Sequence, residues 1–294
     1  MSQNKLYTRE EIRNKYVDKV GSEPLVIQFS LTNETRDSLQ RELEPFVQGK
    51  HEYFNPGVLS DLADDKYVFD NDGDGLKLAD IIRRYFPPEV LDYFENQDIK
   101  HPDKILPHVY VVKNLPEIKL EDATLERSKM YGSWIGEGFA RAIGYSNKIN
   151  NITRSLEHKE WAGQDLHKDY PDASGISGVY QNLGTTAKTR FTNLVSALKH
   201  HTGKAERTLD QRVLLGSGSR DFTDERLRKY GVTELDIDKY SNDVLIEKGD
   251  LVLWSEHGKV WHQAMPTQGT PQDDHSLLRY ILTHAFEKNN APSI

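Results

Sequence analysis

Asp165-Leu166-His167-Lys168-Asp169 sets an imidazole and a carboxylate two residues apart. On an extended segment residues i and i+2 point to the same face, so both groups can reach one ion from a single strand end. A third donor must come from elsewhere in the chain. His262 is the candidate, at the end of a run that starts with Gly249-Asp250 and passes through Leu251-Val252-Leu253-Trp254-Ser255. His257 competes for the role, but it precedes Gly258, whereas Val260-Trp261-His262 reads as the strand after a turn. Two histidines and one carboxylate on one side of an ion leave positions open for exogenous ligands, a set that suits iron, manganese or zinc. Taken alone, His-x-Asp could equally be two surface residues. Order and context give it weight: a Gly-Asp turn enters an apolar strand, a histidine follows, and an arginine then sits inside the last apolar run, Leu277-Leu278-Arg279-Tyr280-Ile281.

The elements that must position these groups are mostly short strands. Residues 176–183, 211–216, 243–247, 250–255, 259–264 and 277–286 read as strands separated by Gly, Pro, Asn and Asp clusters. Helical patches at 194–201 and 222–230 interrupt the series. The first half is more helical. Residues 8–18 and 33–47 have helical spacing with Thr8 and Asn33 as N-caps, residues 24–30 and 108–114 read as strands, and Pro87-Pro88 separates two further helical patches. In 127–144, Met130, Trp134, Ile135, Phe139 and Ile143 share one helical face, the pattern of a helix packed on a sheet. The fold class expected is mainly β, a β-sandwich core with flanking helices. Asp70-Asn71-Asp72-Gly73-Asp74-Gly75 begins like a calcium loop, but Ile81 stands where that loop needs a bidentate glutamate, so a turn capping the next helix is the better reading.

Composition narrows the function classes. A chain of 294 residues can bury a sizeable core without cross-links. The absence of cysteine removes disulfides, thiolate zinc sites and cysteine nucleophiles together. A formal net charge of -8 argues against a general nucleic-acid partner. No apolar run is long enough for a membrane helix, and the opening MSQNKLYTREE is too polar for a secretory signal. A soluble cytoplasmic protein is the expectation, with the oligomeric state left open.

The ordered set His167-x-Asp169, Gly249-Asp250, His262 and Arg279 resembles the iron(II)/2-oxoglutarate dioxygenase superfamily. Within it, roughly residues 105–288 resemble the taurine-dioxygenase and clavaminate-synthase-like branch, with the phytanoyl-CoA-dioxygenase-like branch second. The resemblance implies a double-stranded β-helix, or jelly roll, over 105–288, preceded by a helix-rich part over 1–104 in one oxygenase domain spanning 1–294. It implies that His167, Asp169 and His262 hold iron(II) and that Arg279 pairs with the distal carboxylate of 2-oxoglutarate, for which a planar guanidinium fork is suited. Thr189 resembles the threonine that helps hold the cosubstrate, although Thr185, Thr186 and Thr192 lie nearby. The implied outcome is hydroxylation, or desaturation or cyclisation, at a C–H bond of a small polar substrate such as an amino acid or a natural-product intermediate, with dioxygen consumed. The carboxylate at Asp169 distinguishes the chain from related halogenases, which carry a small residue there. Tyr170, Tyr180, Gln181, Asn182 and Trp261 would lie beside the open metal positions.

Two other classes fit parts of the same pattern. A zinc hydrolase could use the three ligands, but would leave Arg279 without a task. A non-catalytic β-sandwich that binds a sugar or a protein would leave the order of all four elements unexplained.

Overall fold

Leu25–Ser30 forms β1, the first strand of the computed structural model, which describes residues 23–48, 72–97, 105–117, 131–156, 166–167, 175–183, 187–194, 196–197, 221–222, 237–255, 260–265 and 278–288. Helix α1 (Asn33–Gln48) follows and buries Leu39, Leu43 and Phe46, the inward positions of its apolar stripe. Its cap is Thr32 and not Asn33: the Thr32 hydroxyl accepts the Thr35 backbone N–H at 3.1 Å. Helix α2 (Asp72–Tyr85) begins inside the Asp-Gly run, so Asp72 through Gly75 form its first turn. Among the described residues of that run, 72–75 are helical rather than a loop. Pro87 and Pro88 then end one helix and open the next, α3 (Pro88–Glu95), because proline suits the first helical turn, where its missing N–H costs nothing.

Strand β2 (His108–Lys113) and helix α4 (Tyr131–Ala142) complete the first half. The second half supplies β3 (Tyr145–Leu156), β4 (Leu166–His167), β5 (Gly175–Leu183), β6 (Ala187–Asn193) and β7 (Asp221–Phe222). A short 3-10 turn (Ile237–Tyr240) then leads to β8 (Ser241–Ile246), β9 (Leu251–Ser255), β10 (Val260–Ala264) and β11 (Leu278–Lys288). The expected strand over 211–216 and the helix over 8–18 lie outside the described residues. So does most of 222–230, but Phe222 itself is in strand β7.

The strands form two sheets, one of six in the order β1-β2-β9-β5-β11-β3 and one of five in the order β7-β4-β10-β6-β8. β1 runs parallel to β2, and every other pairing is antiparallel. Within the six-stranded sheet β2 and β9 are buried on both faces, which is why β2 reads as an unbroken apolar run. Tyr110, Val112, Leu251 and Leu253 pack under the helices with Phe94, Phe139 and Ile82. Val109, Val111, Val252 and Trp254 face the second sheet, where they meet Phe191, Val244, Ile246 and Val260. Helices α2 and α4 approach closely at Gly138, where a Cβ would stand 2.6 Å from Ile82 and 2.9 Å from the Leu78 carbonyl. Among the described residues no helix is long and apolar enough to cross a membrane.

One buried histidine makes the fold sensitive to acid. His108 is 2% exposed, stacked 5.1 Å from the Tyr93 ring, with Nδ1 3.4 Å from the Tyr110 hydroxyl. Burial pushes its pKa from 6.5 down to about 4, so the folded chain carries it neutral. A depressed folded pKa contributes stability above the unfolded value, and that stability is lost as pH falls from 6.5 towards 4. At about 1.4 kcal/mol for each unit of separation, the loss approaches about 3 kcal/mol. In denaturant unfolding at pH 7 and at pH 4.5, His108→Gln should lack this component, and its stability should fall less steeply with acid than that of the parent.

Candidate metal centre

The turn before β9 is built from groups that leave little freedom. Gly249 has φ +79°, and a Cβ there would stand 2.9 Å from the Leu115 carbonyl oxygen, so only glycine fits without strain. Its own carbonyl accepts the Leu115 backbone N–H at 2.8 Å. Asp250 is 1% exposed; its Oδ2 accepts Lys113 Nζ at 2.7 Å and the Glu247 backbone N–H at 2.9 Å. Burial pushes the Asp250 carboxyl up, against the opposing pull of the Lys113 ammonium and the Glu247 amide. Gly249-Asp250 is thus a buried corner that sets where β9 starts, and through β9 the placement of β10.

β10 carries His262 into the space between the sheets. On its strand Val260 and His262 point inward and Trp261 outward, as alternation requires. β4 lies on one side of β10 and β6 on the other, and His262 is the register partner of both His167 and Phe191. The two imidazoles face each other across that rung, with ring centroids 4.4 Å apart and planes at 52°. His262 is 6% exposed, while His167 is half-buried. Trp254 covers the His262 ring from the opposite sheet at 4.7 Å, and Phe191 lies 6.3 Å away.

The sequence-expected residues divide into three groups. His167 and His262 are brought together. Thr189 is 8% exposed and lies two residues from Phe191, on the same strand face, paired with Ala264. Arg279 lies at the start of β11 opposite Ser155, and Tyr180, Gln181 and Asn182 lie on β5, which pairs with β11. Asp169, Tyr170 and the competing His257 lie outside the described residues; accordingly, no cluster of three metal-ligating side chains occurs among the described ones. Trp261 is buried and sits next to His262 on β10, at the alternate position of the strand. Two neighbours of His262 escaped sequence reading, Trp254 and Phe191. The alternation Val252, Trp254 in β9 was the available signal.

The arrangement suits a divalent metal. Directly opposed residues on adjacent strands hold their Cβ atoms about 5 Å apart, so two imidazoles there can both ligate one ion at about 2 Å. With no cysteine in the chain, any further donor is nitrogen or oxygen, the set favoured by non-haem iron and by zinc.

The backbone course matches that of known structures. The non-haem iron oxygenase OrfP in complex with iron and alpha-ketoglutaric acid superposes with a TM-score of 0.55 at 12% identity, covering 90% of this chain and 95% of that one. Its complex with iron, succinate and (3S)-hydroxy-L-Arg gives 0.51 at 12% identity, with the same coverage. The complex with iron, succinate and (3R,4R)-dihydroxy-L-Arg gives 0.50 at 13%, again over 90% and 95%. This chain shares that oxygenase fold. No protein-family model matches the sequence, and no curated protein matches it significantly. At 12% identity the oxygenase fold is kept by pattern rather than by residue, so the chemistry must be argued from the side chains at the site.

Proposed function

We propose that this chain is a non-haem iron(II) oxygenase that consumes 2-oxoglutarate and dioxygen, with His167, Asp169 and His262 as metal ligands. The observation that carries the reading is the His167–His262 rung, which sets two imidazoles 4.4 Å apart between the sheets of an oxygenase fold. Iron(II) bound there with 2-oxoglutarate and dioxygen would supply the oxidative chemistry for a C–H bond, with the keto acid decarboxylated to succinate. The chain's own residues bind, orient and exclude water. Trp254, Phe191 and the valines at 109, 111, 244, 252 and 260 fill the half of the sandwich between β2–β9 and β6–β8. A cosubstrate held at the imidazoles would therefore extend towards β5, β11 and β3, the strands on which Gln181 and Arg279 lie. Arg279 would take its distal carboxylate in a two-pronged hydrogen bond. Thr189, on the His262 face of β6, would donate its hydroxyl to the same molecule.

In this reading the two facing sheets are the double-stranded β-helix. The helix-rich residues 1–104 and the core 105–288 form one domain, which the pairing of β1 with β2 across that division supports. The substrate is a small polar molecule, and an amino acid is favoured because OrfP has been captured with hydroxylated arginines. Tyr170, Tyr180, Gln181 and Asn182 are the recognition candidates, and hydroxylation is the primary outcome.

Anaerobic addition of iron(II) and 2-oxoglutarate to metal-free protein tests the reading. A weak visible charge-transfer band should appear with both additions and with neither alone. A well-folded sample that gives no band would overturn the proposal and leave the zinc hydrolase or the non-catalytic sandwich.

A further inference from the structure

His262 is enclosed by three rings: His167 beside it on β4, Trp254 across the sandwich at 4.7 Å, and Phe191, its register partner on β6, at 6.3 Å. Trp254 is 1% exposed, and Phe191 braces it edge-on at 5.2 Å with the planes at 61°. The strand end that carries Trp254 is held from its other face as well. The hydroxyl of the next residue, Ser255, donates to Gln97 Oε1 at 2.8 Å, and both residues are buried. The indole therefore has no room to swing away, and the imidazole packed on it is confined to the narrow range of ring planes that this contact allows.

We propose that Trp254 is a positioning residue that fixes the His262 ring plane before a metal arrives. The inference rests on the ligand reading above. A ligand that samples several rotamers must be ordered when the ion binds, and that ordering subtracts from affinity. A ring already wedged between an indole and a second imidazole is ordered beforehand. Phe191 contributes by bracing Trp254 more than by touching His262, since its ring is the more distant of the two. The role calls for a flat, rigid side chain of indole size. A phenyl ring retains much of the contact, and a branched aliphatic chain does not.

Cobalt(II) alone, added to the full-length chain, is the probe. Its visible d–d absorption reports ligand geometry, and its quenching of tryptophan emission reports distance from an indole. Trp254→Leu should weaken cobalt(II) binding by about 10-fold or more and alter the d–d bands, as loss of a ligand-orienting neighbour does. Trp254→Phe should recover most of the affinity, while the cobalt-dependent quench shrinks because the indole packed on the His262 ring is gone. A folded Trp254→Leu protein, verified by circular dichroism, that binds cobalt(II) as tightly as the parent overturns the inference. Should that variant fail to fold, Trp254→Phe decides: an undiminished quench would place the indole away from the ion and also overturn it. If the parent itself takes up no cobalt(II), the ligand reading has failed, and this inference falls with it.

Discussion

His262→Ala should lose metal uptake and turnover together, while His257→Ala should keep both. That is the largest effect expected from any single change in the chain. His262 is paired through the sheet with His167 and packed on Trp254, so its removal takes one donor from a two-imidazole rung that nothing else in the described structure replaces. Losing an orienting neighbour of a ligand costs about 10- to 100-fold in metal affinity, and losing a ligand exceeds that range. Turnover should fall by more than about 1,000-fold, a cost of some 4 kcal/mol in transition-state stabilisation. Titration with iron(II) under anaerobic conditions reads the first quantity, and succinate release reads the second. His262→Gln, closer to imidazole in volume, separates loss of the donor from the cavity an alanine leaves beside Trp254. Unchanged iron uptake in either folded variant would sink the assignment of His262.

Arg279→Ala should weaken 2-oxoglutarate binding far more than iron binding. Truncating one partner of a buried, hydrogen-bonded charge pair costs about 2–5 kcal/mol, so the dissociation constant for the cosubstrate should rise by about 100-fold or more. The iron dissociation constant should move by less than about threefold, because the guanidinium would touch the distal carboxylate and not the ion. Arg279→Lys should recover only part of the loss, since an ammonium cannot supply a planar fork. The charge-transfer band, titrated with 2-oxoglutarate at saturating iron, measures the first constant directly. Equal losses of both would mean that the arginine is structural and that its place at the start of β11 serves the sheet.

The apolar strands could be read directly. β2 and β9 lie in the middle of the six-stranded sheet and are buried on both faces, so their sequences are continuous apolar runs that carry the signal at every position. β3 could not. It is the edge strand next to β11, and Tyr-Ser-Asn-Lys-Ile-Asn-Asn-Ile-Thr-Arg-Ser-Leu is polar enough to pass for a loop. Its strand character comes from eleven register partners on β11, which no local pattern records. β6 was hidden for a different reason. Its outward residues are polar yet fully engaged, Arg190 with Asp238 and Asp243 and Thr192 with the Ser241 hydroxyl. The site shows the same division. The type and order of the ligand residues pointed to His167 and His262 meeting. Trp254, which reaches the His262 ring from the other sheet, was not suggested by the sequence. A contact made across a sandwich leaves no trace in spacing along the chain.

The rung that joins β4 to β10 is a long-range contact. It unites positions separated by roughly 95 residues, and closing a loop of that length costs on the order of 4 kcal/mol in chain entropy. The hydrogen bonds and packing of the two sheets offset that cost. An unfolded chain has no comparable way to gather the two imidazoles, so an ion that binds the finished sandwich scarcely recognises the open coil. Such selective capture adds about 2.7 kcal/mol of stability at a ligand excess of 100 times the dissociation constant. In the proposed reading the ion would act as a late rivet, and added iron(II) should raise the melting temperature of the folded chain.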